Sequence, residues 1–145
     1  MIKDLVIKEL KTHSDERGFF REILRGSSNS IANRIGQVSH SEVNPGVIKA
    51  WHGHKYQFQW TYVLKGNLRV AVVDLRSNSI TENKIVEFKC GESSKNLIYG
   101  FPPGIFHGYQ NCSEKAQIIY ITSGTYDLDD ELRIPVDTNK IKFLW

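Results

Sequence analysis

Histidine is the side chain here best suited to moving protons, because its imidazole titrates near neutral pH, as a general base should. The chain carries His13, His40, His52, His54 and His107. His52 and His54 are separated by one residue in a strand-like stretch. Strand side chains alternate faces, so the two rings point the same way. By that count they share a face with Ile48 and Ala50, which makes it an interior face. Two imidazoles aimed inward cost free energy unless they have partners or a task. The plainer alternative is a pair of satisfied polar groups in a barrel used for something else. Polar clusters inside pockets are usually functional, which favours the site.

The elements that must carry these rings are strands. Residues 38–43, 46–51, 60–64, 68–75, 84–88, 96–101 and 117–122 are rich in Val, Ile, Tyr and Trp. Asn44-Pro45-Gly46, Lys65-Gly66-Asn67 and Pro102-Pro103-Gly104 punctuate them as turns. Many short strands at this spacing predict an all-β sandwich or barrel in one domain, 1–145. Residues 68–75 are apolar on both faces, which predicts either a tightly packed sandwich or a dimer interface. The best helical stretch is the short acidic segment 127–132. Its Asp127, Asp129, Asp130 and Glu131 read as a solvated cluster.

Composition narrows the function. The net charge is +3 with no dense run of Lys and Arg, which argues against a dedicated nucleic-acid binder and suits an anionic small molecule. Cys90 and Cys112 lack zinc-knuckle or redox spacing and read as two unpaired, buried thiols. Residues 1–10 alternate charged and apolar side chains, unlike a signal peptide or membrane span, so the expected compartment is the cytoplasm.

The spacing around the histidines is more specific. Gly46, His52-Gly53-His54, Gln59 and Gly66 resemble the first motif of the cupin superfamily, with glutamine where glutamate is usual. Pro102-Pro103-Gly104-Ile105-Phe106-His107 with Asn111 resembles the second, with Asn96 in place of a glycine. The two halves together imply the cupin double-stranded β-helix, a jelly-roll barrel.

Within the cupins the chain resembles the dTDP-4-dehydrorhamnose 3,5-epimerase family over nearly its whole length. The resemblance rests on Ser14 through Glu22, Gln37-Val38-Ser39-His40-Ser41, Gly46 through His52, Val73-Asp74-Leu75-Arg76 with Ser79 and Thr81, Phe101 through Tyr109, Ile119 through Thr122 with Tyr126, and Ile141 through Trp145. It implies a homodimer acting on a nucleotide-linked 4-keto-sugar without cofactor or bound metal. The ketone at C4 acidifies the hydrogens at C3 and C5. His52 falls on the base position and Tyr120 on that of the acid, with His54 assisting or orienting. Arg17, Phe20 and Glu22 fall where the family contacts the nucleotide, often across the dimer interface. Phe20 and Tyr126 would sandwich the base, and Gln37, Lys49, Trp60 and His107 would complete the substrate-binding set. Lys49 replaces an arginine, keeping charge for a diphosphate but losing the planar fork. Arg17 and Glu22 could equally pair on the surface.

Three departures stand out. The family lysine that stabilises the developing enolate aligns with Trp60, a family aspartate aligns with Val70, and the C-terminal aspartate that partners the base is absent. His52 then needs another carboxylate, or none, to hold its tautomer. His52-Gly53-His54-Lys55 and Tyr126 through Arg133 also resemble the sugar 3,4-ketoisomerases. Two further readings stay open. His52, His54, Gln59 and His107 could hold a divalent transition metal, which the neutral glutamine disfavours, or the barrel could bind sugar by aromatic stacking without turnover.

Overall fold

The structure is a computed structural model and describes residues 1–26 and 34–145. Among the described residues it is all β. The strands are β1 (Val6–Glu9), β2 (Thr12–Asp15), β3 (Gly18–Arg21), β4 (Gln37–Val43), β5 (Ile48–His54), β6 (Gln59–Lys65), β7 (Asn67–Asp74), β8 (Ile85–Gly91), β9 (Leu97–Phe101), β10 (Ile105–Asn111), β11 (Ala116–Thr122) and β12 (Glu131–Arg133). One antiparallel sheet runs β1-β9-β6-β11-β4, the other β12-β5-β10-β7-β8, and β2 with β3 forms a separate hairpin.

Alternation along the strands builds the core between the two large sheets. Val43, Val63, Tyr99, Phe101 and Ile118 from the first meet Leu68, Val70, Val72, Ile105 and Tyr109 from the second. This is jelly-roll packing of two twisted antiparallel sheets.

The second apolar face of β7 is covered from within the same chain. Ala71 and Val73 pack with Trp51, Phe106 and Ile141, and Phe143 and Trp145 close over them. The Trp51, Phe143 and Trp145 rings lie 4.8 to 5.8 Å apart. Gly108 makes this cover possible, because a Cβ there would sit 2.6 Å from the Trp145 ring and closer still to the Ala50 methyl.

Two local expectations need correction. Segment 127–132 is a turn followed by β12, not a helix, because β12 pairs with β5 in the register Glu131↔His54, Leu132↔Gly53, Arg133↔His52. Cys90 is buried, which pushes its thiol up to about 12, whereas Cys112 is exposed. The Val73-Asp74-Leu75-Arg76 block with Ser79 and Thr81 is a structural turn. The buried Asp74 carboxylate accepts hydrogen bonds from the Arg76 guanidinium and from the Ser79 and Thr81 hydroxyls.

Gly108→Ala should lower stability by about 1–3 kcal/mol, the usual cost of forcing a methyl into a packed site, read as a reduced urea midpoint. An unchanged midpoint would show that the Trp145 cover is loose.

Candidate active site

The site begins with a bulge. β5 pairs with β10 as His52↔His107 and Lys49↔Tyr109, so two residues of β5, Ala50 and Trp51, oppose the single Gly108. The extra residue reverses the alternation. Lys49, His52 and His54 therefore border the same cavity as His107 and Tyr109. Ile48, expected to share the histidine face, is instead 37% exposed, and Ala50 packs toward the Trp145 cluster. The inward direction of the histidines holds, but the alternation that suggested it does not extend back past Trp51.

The cavity measures about 610 Å³. Gln37 and Ser39 of β4, Gln59 of β6 and Tyr120 and Thr122 of β11 line it from one sheet. The histidines of β5 and β10, with Glu131 and Arg133 of β12, line it from the other. Tyr126 stands at its border, 65% exposed.

The acidic segment read as solvated supplies the carboxylates of the site. Asp130 is 2% exposed, and its Oδ2 lies 2.6 Å from His54 Nδ1. Its Oδ1 accepts the backbone N–H groups of Tyr56 and Gln57 at 2.6 and 3.1 Å. Burial opposes ionisation of this carboxyl, but those three donors outweigh it and hold the group below its ordinary range. Glu131 Oε1 stands 3.2 Å from His52 Nε2 and 2.9 Å from the Arg133 guanidinium. A carboxylate so placed favours an N–H at Nε2 and repels a lone pair there, which leaves the basic lone pair on Nδ1.

The three imidazoles restrain one another. The His52 ring centroid is 4.8 Å from that of His54 and 5.6 Å from that of His107. Burial, then the charge on His54, lowers the His52 pKa to about 4, against the opposing pull of Glu131. Burial, then the neighbouring His52 and His54 rings, takes His107 well below the usual imidazole range. His52 is thus neutral and able to accept a proton at physiological pH.

His54 and His107 are tied into a buried chain. His54 Nε2 lies 2.9 Å from Gln59 Oε1, the Gln59 amide nitrogen lies 3.1 Å from Thr61 Oγ1 and 3.3 Å from His107 Nε2, and His107 Nδ1 lies 3.0 Å from the Tyr99 hydroxyl. Among the described residues, no three His, Cys, Asp or Glu side chains converge as metal ligands would. The Tyr120 hydroxyl lies 2.6 Å from that of Tyr109 and 3.3 Å from Ser41 Oγ. Burial raises the Tyr120 pKa, so this phenol is protonated at neutral pH.

Of the residues predicted from sequence, His52, His54, His107, Tyr120, Gln37, Lys49 and Tyr126 border the cavity. Trp60 does not. It occupies the opposite face of β6, beside Phe58 and in the cluster of Leu10, Tyr62 and Ile98, with its ring directly over Gly100. Its neighbour Gln59 takes the inward position. An enolate-stabilising group must face the cavity, so the residue to compare with the family lysine is Gln59. Arg17, Phe20 and Glu22 belong to the β2–β3 hairpin and its continuation, outside this cavity. Arg17 pairs with Asp15 and Glu22 with Arg25, each at 2.6 Å, rather than with each other. Tyr109, Asp130 and Glu131 were not singled out as site residues. Tyr109 was within reach, two positions beyond His107 on the same strand face.

The sequence model of the dTDP-4-dehydrorhamnose 3,5-epimerase family matches residues 1–145. The chain belongs to this family. It is 39% identical over 148 residues to the spore coat polysaccharide biosynthesis protein SpsL of Bacillus subtilis strain 168, covering 100% of this chain and 97% of that one. It is 29% identical to the probable low-salt glycan biosynthesis epimerase Agl13 of Haloferax volcanii, covering 99% and 94%. Among solved structures, the dTDP sugar isomerase of Desulfovibrio desulfuricans G20 superposes with a TM-score of 0.90 at 25% identity, covering 99% of this chain and 92% of that one. The epimerase RmlC of Legionella pneumophila, solved with dTDP-4-keto-L-rhamnose, gives 0.85 at 26%, covering 99% and 79%. In this chain Asp130 and Glu131 supply the carboxylates that stand beside His54 and His52.

Asp130→Asn should cost about 1–3 kcal/mol of stability at pH 7, the usual penalty for disturbing buried hydrogen bonds. The folded carboxyl has a depressed pKa, so its contribution is present above the unfolded value of about 3.9 and fades as pH falls below it. Denaturation at pH 7 and pH 3 should show the wild-type advantage shrinking in acid. An equal deficit at both pH values would contradict the pairing.

Proposed function

We propose that this isomerase epimerises a nucleoside-diphosphate 4-keto-6-deoxyhexose at a carbon beside the ketone. One observation carries the reading: a neutral imidazole, His52, and a protonated phenol, Tyr120, border one cavity from opposite sheets. The C4 ketone makes the neighbouring C–H acidic, and His52 removes that proton through Nδ1 to leave an enolate. Tyr120 then delivers a proton to the other face of the carbon, which inverts it. General acid–base groups so placed contribute about 10²–10⁴-fold each. His54, held at both ring nitrogens, orients and does not shuttle. That arrangement disfavours the ketoisomerase reading, in which two histidines move protons.

The cavity lies within the roughly 300–1,000 Å³ usual for small-molecule sites. Lys49 and Arg133 at its border offer positive charge to a diphosphate. Tyr126 offers an aromatic face to the nucleotide base. Phe20, 69% exposed on the β2–β3 hairpin, does not reach the cavity of its own chain. In a homodimer the hairpin would bring Arg17, Phe20 and Glu22 to the partner's cavity. SpsL and Agl13 carry names from polysaccharide and glycan biosynthesis, which supports surface-polysaccharide supply as the role.

In heavy water with dTDP-4-keto-6-deoxyglucose, NMR should show deuterium entering at C3, C5 or both. His52→Ala should slow that entry by about 10²-fold or more. A ketone moved to C3 would mark a ketoisomerase, and a folded wild-type protein that exchanges nothing would refute the assignment.

A further inference from the structure

The two phenols that border the cavity carry an inference that rests on the epimerase reading and extends it. We propose that Tyr109 is a positioning residue for proton return: its hydroxyl donates to the Tyr120 oxygen, aims the Tyr120 O–H at the substrate and holds the phenolate left behind.

The geometry supports this by a count of donors and lone pairs. Tyr109 belongs to β10 and Tyr120 to β11, in different sheets, and their hydroxyl oxygens meet at 2.6 Å. Ser41 Oγ, on β4, donates to the same Tyr120 oxygen at 3.3 Å. A phenol has one hydrogen and two lone pairs. With Tyr109 and Ser41 filling both lone pairs, the Tyr120 hydrogen points elsewhere, and Tyr120 lines the cavity. In the opposite arrangement Tyr120 would spend its hydrogen on Tyr109 and have none for carbon. Tyr109 is 2% exposed and packed in the central core, so its hydroxyl is held where the bond needs it. Its inward direction follows from plain alternation along β10, two positions beyond His107, in an unbroken register with β7.

The proton account closes. His52 takes a proton from carbon and becomes imidazolium. Tyr120 gives its proton to the opposite face and becomes phenolate, now accepting two hydrogen bonds. Water then reprotonates Tyr120 and takes the proton from His52, so no net proton is consumed. Burial raises both phenols, and the hydrogen bonds from Ser41 and Tyr109 work against that rise at Tyr120. Tyr120 is therefore the one that ionises.

Tyr109→Phe removes only the hydroxyl and tests this by a split between half-reactions. In heavy water the substrate C–H should still exchange with retention through His52, at a rate within about two-fold of wild type. Formation of the inverted product should fall about 10–100-fold, the size expected for one hydrogen bond to a charged group. The alkaline limb of product formation, set by ionisation of Tyr120, should move to higher pH, because the bond that favoured the phenolate is gone. Exchange and inversion falling together, or an unmoved alkaline limb, would overturn the role. A wild-type protein with no exchange would instead overturn the epimerase reading, and this inference with it.

Discussion

The arrangement depends on a carboxylate held against an imidazole. Glu131 faces Nε2 of His52 because β12 pairs as an edge strand with β5, and that pairing in turn follows from Asp130. The Asp130 carboxylate gathers two backbone amides and the His54 ring, and this draws the segment onto the barrel. A buried carboxylate with three donors is stable, and one with none is not. The same three donors therefore hold the strand, orient His54 and bring Glu131 to the His52 ring.

Around this centre the two sheets divide the work. The β5–β10 sheet presents the imidazoles and the β6–β11 sheet presents Gln59 and Tyr120. The bulge opposite Gly108 lets Lys49 and His52 share a face. The same glycine admits the Trp145 ring on the outer side. One backbone feature thus serves both the inner site and the outer cover of the barrel.

Much of this was legible in the sequence. Periodicity and turn residues located most strands of the two sheets, and the paired histidine motifs pointed to the cupin barrel and its inward rings. What escaped notice depended on long-range partners. Asp130 and Glu131 look like surface acids until β12 pairs with β5, since nothing local announces that their histidine partners lie more than seventy residues away. Trp60 and Gln59 differ by one position, and on a strand one position exchanges the inner face for the outer. Lys49 joined the site through a bulge that plain alternation does not foresee. The expectation that Ile48 would lie beside the histidines failed for that reason.

Proton abstraction by His52 requires its hydrogen on Nε2 and a free lone pair on Nδ1. Long-range proton–nitrogen correlation NMR on protein labelled with ¹⁵N-histidine reads this directly at pH 7. The expected result is a neutral His52 ring protonated at Nε2, with the lone pair on Nδ1. A ring protonated at Nδ1, or an imidazolium at that pH, would contradict it.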